Sequence, residues 1–248
     1  MTASNVGPAP TADSFDSIAA LYEATTYPYP EAALDWMLPA GVETALDLGA
    51  GTGQLARALH ARKIDTIAID PSRGMRDELS RNLPDIRVMD GTAEQIPLPD
   101  HSVDVVLVGH AWHWFDVPAA SREIARVLRP GGRLSLVWNV RDERIPWVKQ
   151  LDAIVHQGTE YRLGSENPEV NTPFEPFERH DVTWHKSFTK AALVEFISVR
   201  LDGTNAAPDV RAQILADVRN LLDNDPDLSG RADVALPYVA RCSRSDLA

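Results

Sequence analysis

Between residues 42 and 139 the chain alternates two kinds of apolar spacing. Short runs rich in Val, Ile and Leu recur as "TALDLG" (44 to 49), "TIAID" (66 to 70), "IRVMD" (86 to 90), "VDVVLVG" (103 to 109) and "RLSLVWN" (133 to 139). Near-continuous apolar runs of this length suit strands covered on both faces. In the segments between them the spacing changes to three and four, with Leu55, Ala58, Leu59 and Arg62 in "GQLARALHARK" and Ile124, Val127 and Leu128 in "AASREIARVLRPGG". Strand and helix in alternation predict a parallel sheet layered by helices. Pro130, Gly131 and Gly132 are expected to stop the second of these helices and turn the chain into the next strand.

The flanks extend the pattern. Upstream, "SFDSIAALYEATT" and "PEAALDWML" predict two helices packed over one end of the sheet, with Pro30 suited to a first turn. Downstream, helices are expected over "ERIPWVKQLDAIVHQ", "KAALVEFISVR" and "DVRAQILADVRNLLD", strands over "RHDVTWHKSF" and "VALPYVARCS", and a Gly/Pro/Glu-rich connection over residues 158 to 178. With no internal repeat, this reads as a flexible arm and helical cap over residues 1–40 and one domain over residues 41–248.

Composition narrows the partners. A formal net charge of -12 opposes a phosphate backbone, so no nucleic-acid partner is expected. Cys242 is the single cysteine, which excludes an internal disulfide and a cysteine-based zinc cluster and fits a reducing cytosol. The start "MTASNVGPAPTADS" lacks the basic and apolar regions of a signal peptide, and no apolar run reaches membrane-spanning length. A cytoplasmic protein without a membrane partner is expected.

The sharpest chemical signal is "LDLGAGTGQLARAL", where Gly49, Gly51 and Gly53 stand between a strand and a helix. Glycines there admit positive φ and let a ligand approach the backbone. The spacing is not that of a dinucleotide loop, because Gln54 occupies the place of the last glycine in G-x-G-x-x-G. Asp47, two residues before Gly49, repels a pyrophosphate but suits an ammonium group. Asp70 ends the next strand in "TIAIDPS", where an acid accepts hydrogen bonds from ribose hydroxyls. A cationic, phosphate-free nucleoside, S-adenosylmethionine, meets all of these conditions.

On these residues the chain resembles the class I S-adenosylmethionine-dependent methyltransferases, and within them it is similar to the type 11 small-molecule group near the trans-aconitate methyltransferase-like members. The likeness runs through "FDSIAALYEATTYPYP", "DLGAGTG", "AIDPS", "GTAEQIPLPDHSVDVVLV" and "HAWHWFD" to "VLRPGGRLSLVWN". It implies an α/β Rossmann-like three-layer sandwich whose seven-stranded, mostly parallel sheet has an antiparallel last strand. The cofactor half is then 41–140 and the substrate-side half 141–248. Implied cofactor contacts are Asp47, Gly49, Ala50, Gly51, Thr52, Gly53, Gln54 and Leu55 at the first turn, and Asp70, Pro71, Ser72 and Met75 at the second. Gly91, Thr92, Ala93 and Glu94 would wrap the adenine, while Gly109, His110, His113 and Trp114 would meet the methionine end. Many relatives carry an acid where Thr92 stands, so adenine recognition here falls to its hydroxyl or to nearby backbone.

The stretch "VLVGHAWHWFD" lies beyond the strand next to the glycine turn, where open α/β sheets bind ligands. His110 and His113 are spaced for a helical turn, but no third ligand completes a zinc set, and no metal is expected. Two roles stay open for them: a base that takes a proton from the acceptor, or a hydrogen bond to the cofactor or a carbonyl. Trp112 and Trp114 alternate, so one faces the pocket and the other packs inside. Tyr22, Tyr27 and Tyr29 of the cap either close over substrate or serve helix packing, and Trp138, Asn139 and Arg141 end the fifth strand as candidate substrate contacts. Arg141 suits a substrate carboxylate. The expected reaction is in-line methyl transfer to an O, N or C nucleophile on a small molecule, releasing S-adenosylhomocysteine. The rivals are a protein that binds this nucleoside without transfer and a nicotinamide-dependent reductase, the latter opposed by Gln54 and Asp47.

Overall fold

The computed structural model describes residues 19–26, 28–156, 168–202 and 206–247. Its centre is β1 (Thr44–Leu48), a short buried strand hydrogen-bonded in parallel on one side to β2 (Asp65–Ile69) and on the other to β4 (Val103–Gly109). β3 (Arg87–Met89) extends the sheet beyond β2. β5 (Leu128–Arg141), β7 (Asp233–Asp246) and β6 (Glu178–Thr189) extend it beyond β4, giving the order β3-β2-β1-β4-β5-β7-β6. β7 runs antiparallel to both of its neighbours, and the other pairings are parallel. This is the seven-stranded α/β sandwich expected from the sequence.

Because strand side chains alternate between faces, each central strand feeds two cores. Leu46, Leu48, Val106, Val108, Leu134 and Leu136 pack beneath α5 (Val117–Val127), which contributes Ile124 and Val127. On the opposite face Ala45, Val105, Leu107 and Val137 meet Leu34 and Met37 of α2 (Glu31–Met37) and Leu55 and Leu59 of α3 (Gln54–Ala61). A further apolar cluster joins Trp147 and Leu151 of α6 (Pro146–Val155), Leu193 and Ile197 of α7 (Lys190–Asp202) and Val218 and Leu222 of α8 (Pro208–Asn224) to Val234, Leu236 and Tyr238 of β7. The cap helix α1 (Ala19–Thr25) is fastened by Glu23, whose carboxylate accepts from Gln54 Nε2 at 3.0 Å and Arg57 Nη2 at 2.8 Å.

Four elements depart from expectation. Helix α4 (Arg73–Asn82) was not expected, since its sequence "RGMRDELSRN" buries only Met75 and Leu79; its one clear signal is Ser72, whose hydroxyl caps it by accepting from Met75 N at 3.2 Å. β5 begins at Leu128 rather than after the glycines, because pairing with β4 starts at Val103 and Leu128, slips, and resumes at Val105 and Arg133. Pro130 to Gly132 is thus an irregularity within the strand pairing. β6 and β7 outrun their expected ends because antiparallel pairing runs unbroken from Glu178 with Arg244 to Thr189 with Asp233.

Leu46 is fully buried at the middle of β1. Leu46→Ala is expected to lower the unfolding free energy by about 2–5 kcal/mol, read from urea denaturation followed by circular dichroism. A loss below the error of that measurement would show that β1 is not the centre of the packing.

Candidate active site

The chain leaving β1 turns sharply at Gly49, where φ is 71 and a Cβ would lie 2.7 Å from Ala111 Cβ. The amides of Gly49 and Ala50 both donate to Ile69 O, at 2.8 and 3.0 Å, which pins the turn to the end of β2. Gly53, with φ 92, then starts α3 where a Cβ would meet Leu79 Cγ at 2.8 Å. Both positions need glycine for conformation and for space.

Two aspartates organise this turn from within the protein. Asp70 accepts Gly51 N at Oδ2 and Ser72 N at Oδ1, each at 2.8 Å, so it braces the first turn against the second. Asp47 is buried, and its Oδ2 accepts Ala56 N at 2.8 Å in the first turn of α3. Burial pushes the Asp47 carboxyl up to about 7; the Ala56 amide opposes that rise and the charge of Asp70 adds to it. Beside it the Thr52 hydroxyl is buried with no hydrogen-bond partner among the described residues. A dry carboxylate and an unpartnered hydroxyl at the edge of a cavity are costly unless a ligand answers them.

That cavity has a volume of about 1120 Å³ and crosses the carboxyl ends of β1, β4 and β5. Its glycine-turn end is lined by Tyr22, Tyr29, Asp47, Gly49 to Thr52, Gln54, Leu55 and Gly109. His110, His113 and Trp114 follow, and then Asn139 and Arg141 lead to the far end. Gly109 has no room for a side chain: a Cβ would run into Tyr29 Oη and lie 2.9 Å from Leu55 Cδ1.

Other expected contacts sit elsewhere. Asp70, Pro71, Ser72, Met75 and Gly91 to Glu94 lie outside the lining of this cavity, along the ends of β2 and β3. Met75 and Ala93 are buried, Thr92 is exposed, and Glu94 accepts Asp116 N at 2.9 Å. Trp138 corrects the expectation of a substrate contact. Strand alternation turns its indole into the core beneath α5, away from the cavity. Tyr27 lies outside the described residues. Trp112 packs edge-on to Phe115 and Phe177 and donates Nε1 to Glu169 O at 3.0 Å, whereas Trp114 is exposed at the cavity.

The two histidines are held in uncharged states by different means. His110 Nε2 accepts the Asn139 amide at 2.9 Å, which places the ring proton on Nδ1 and commits the Nε2 lone pair. Burial, then the charges of Arg200 and His113, pushes the ring down to about 4. The base alternative therefore does not fit His110; what it offers is an N–H donor. His113 lies against Trp114, ring centroids 4.4 Å apart, and its Nδ1 is buried without a partner among the described residues. Burial lowers its pKa, because an imidazolium would bury an N–H with nothing to accept it.

The far end holds groups that sequence reasoning missed. Arg141 Nε pairs with Asp152 Oδ1 at 2.6 Å, so the arginine expected to hold a substrate is engaged by α6. Asp152 Oδ2 also lies 3.1 Å from His156 Nδ1. Burial alone would raise the Asp152 carboxyl, but His156 and Arg141 hold it below its ordinary value. Arg144, Lys149, Arg200 and Arg241 complete the cationic lining. The available signal was the polar stripe Lys149, Asp152 and His156, spaced three and four apart opposite Trp147, Val148 and Leu151.

The family described as "Methyltransferase domain" matches residues 46–136. Uncharacterized methyltransferases of Mycobacterium tuberculosis and Mycobacterium bovis are each 46% identical over 236 residues, covering 95% of this chain and 96% of theirs. A methyltransferase-like protein of Schizosaccharomyces pombe is 40% identical over 147 residues, 57% of each chain. Among solved structures, a candidate type II methyltransferase from Anaeromyxobacter dehalogenans superimposes with a TM-score of 0.59 at 23% identity, covering 89% of this chain and 97% of that one, a likeness of fold.

The Asp47 carboxyl titrates at about 7 in the folded protein against 3.8 as a free group, so its contribution to stability is complete below about pH 4 and lost as pH rises to 7. Asp47→Asn, which cannot ionise, is expected to raise stability at pH 8 by roughly 1–4 kcal/mol, with the gain vanishing toward pH 4. His110, held neutral between about 4 and 6.5, acts in the opposite sense but cancels between the two proteins. Thermal unfolding across that pH range measures the difference; equal midpoints at pH 8 would mean that Asp47 is not strained by burial.

Proposed function

The chain belongs to the class I S-adenosylmethionine-dependent methyltransferases, and we propose that it binds S-adenosylmethionine at the glycine-turn end of the cavity and methylates a small molecule held at the far end. The observation that carries this reading is one cavity running from the buried Asp47 carboxylate and the partnerless Thr52 hydroxyl to a polar end lined by Asn139 and Arg141. At about 1120 Å³ it exceeds the roughly 300–1,000 Å³ usual for a single small ligand.

The residues fit the cofactor's chemistry. Asp47 is placed to answer an amino group, whose charge would return the carboxylate to its ionised form. The partnerless Thr52 hydroxyl suits a carboxylate, and the Asp70 carboxylate at the end of β2 suits ribose hydroxyls. Gly91 to Glu94 is the stretch for the adenine. When bound, the cofactor supplies a methyl group on an already activated sulfonium, with S-adenosylhomocysteine as product. The protein's share is alignment and exclusion of water. Tyr22 and Tyr29 line the glycine-turn end, and the Glu23 contacts with Gln54 and Arg57 fasten the cap helix to α3 beside it. His110 contributes a fixed N–H donor, and the aromatic faces of Tyr29 and Trp114 suit a neighbouring cation.

A small acceptor rather than a nucleic acid suits the net charge of -12. A cytoplasmic site of action belongs to the same reading; no helix among the described residues is long and apolar enough to cross a membrane.

Calorimetry is expected to give binding heat with S-adenosylmethionine and S-adenosylhomocysteine and none with nicotinamide dinucleotides. Asp70→Ala should weaken cofactor binding about tenfold or more, a cost of about 1.4 kcal/mol. Labelled cofactor incubated with mixed small acids, phenols and amines should release S-adenosylhomocysteine. Dinucleotide binding without cofactor binding would remove the reading, and tight cofactor binding with no release across the mixture would favour a non-transferring role.

A further inference from the structure

Where the chain leaves β4 beside the end of β5, two side chains are locked by hydrogen bonds that each leave one donor over. His110 has φ 57, a left-handed conformation that a residue with a side chain adopts at a cost. Two bonds to β5 hold it there: its own N–H donates to Val137 O at 3.0 Å, and its Nε2 accepts the Asn139 main-chain N–H at 2.9 Å. The neutral ring therefore carries its proton on Nδ1. Asn139 is buried, and its Oδ1 accepts Trp184 Nε1 at 3.0 Å. An indole nitrogen can only donate, so this bond fixes which end of the amide is oxygen and leaves Nδ2 as a donor in a set position.

Among the described residues neither His110 Nδ1 nor Asn139 Nδ2 has an acceptor. Nor is either sealed inside the protein, as the partnerless atoms Thr52 Oγ1, Arg62 Nε, His113 Nδ1 and Trp138 Nε1 are. Both residues line the cavity, so both donors open onto it. They stand between Gly109, at the glycine-turn end, and Arg141, two residues beyond Asn139 on the same face of β5.

What such a pair selects follows from what it lacks. Two donors with no acceptor between them give nothing to an ammonium group, which has no lone pair. A hydroxyl or amine brings a proton of its own that the pair cannot receive. An acyl oxygen has two lone pairs and no proton, and so answers both donors at once. The charge of Arg200 also reaches the His110 ring, which adds attraction for an oxygen bearing negative charge.

We propose that His110 Nδ1–H and Asn139 Nδ2–H together clamp an acyl oxygen of the methyl acceptor, in carboxylate or neutral carbonyl form, an assignment that rests on the methyl-transfer reading above. The clamp makes and breaks no covalent bond; it fixes the acceptor against the methyl group. Trp184 acts through the Asn139 side chain, and the Asn139 main chain acts through the His110 ring, so one strand end orients both donors.

The full chain, labelled with 15N in histidine and asparagine, would be titrated with acetate, acetamide and methylammonium, alone and with saturating S-adenosylhomocysteine. Neutral His110 is expected as the Nδ1–H tautomer. Its Nδ1 and the Asn139 side-chain amide should shift together and saturably, with one dissociation constant. A response to acetate assigns the carboxylate form and a response to acetamide alone the carbonyl form, while methylammonium should move neither signal. Asn139→Ala keeps the main-chain N–H, and with it the His110 tautomer, but should weaken the acyl probe about tenfold. Trp184→Phe, which frees the amide to turn, should weaken it about threefold. Calorimetric binding of S-adenosylhomocysteine should be unchanged in both variants. An Nε2–H tautomer, no joint shift with either acyl probe, equal shifts with methylammonium, or full probe affinity in both variants overturns the clamp. So does Asn139→Ala losing affinity for S-adenosylhomocysteine instead of the probe, which would give the donors to the cofactor. If the wild-type protein does not bind S-adenosylhomocysteine, the methyl-transfer reading fails, and the titration of the protein alone still decides the clamp.

Discussion

Everything at the carboxyl end of the sheet follows from β1 being hydrogen-bonded on both sides, to β2 and to β4. A strand so placed cannot shift, and the chains leaving it and β4 depart to different neighbours, which opens a crevice between them. The glycine turn is held in that crevice by Ile69 O and by Asp70, and Gly109 brings the end of β4 close enough to touch Tyr29 and Leu55. The cavity is a consequence of strand order, and its walls are set by backbone contacts too tight to admit side chains.

The same crevice imposes an electrostatic division. At the glycine-turn end, desolvation dominates: it drives the Asp47 carboxyl up and the His110 ring down, so both are pushed toward neutrality in the protein alone. At the far end the charged groups keep partners, with Arg141 and His156 on Asp152 and Arg144 on Asp142. A buried carboxylate without a countercharge thus gives the glycine-turn end the chemistry that suits a cation. The far end instead presents preformed ion pairs whose members can exchange partners at modest cost in a partly wet site.

The family relationship and the site geometry bear on different questions. The family match covers residues 46–136, the part of the chain that carries the glycine turn, while the mycobacterial relatives, similar over 95% of the chain, speak to the class of reaction. The far end of the cavity is built from β5, α6, α7 and β7, largely beyond residues 46–136. Its character is read from contacts such as Arg141 with Asp152, which pair a strand end with a helix face.

The alternation of apolar runs and helical spacing in the sequence was enough to determine the α/β sheet, and "LDLGAGTG" with "AIDPS" was enough to locate a glycine turn between strand and helix with an acid at the next strand's end, because strand burial and glycine conformation are local properties. Helix α4 escaped because its apolar positions are few, and the bulge in β5 because register slips belong to pairs of strands and not to either one. The contacts of the side chains in "HAWHWFD" were decided only by tertiary structure. Which nitrogen of His110 holds a proton depends on an amide from Asn139, at the end of another strand. Protonation and partner choice are set by atoms that meet through folding, and spacing along the chain does not record them.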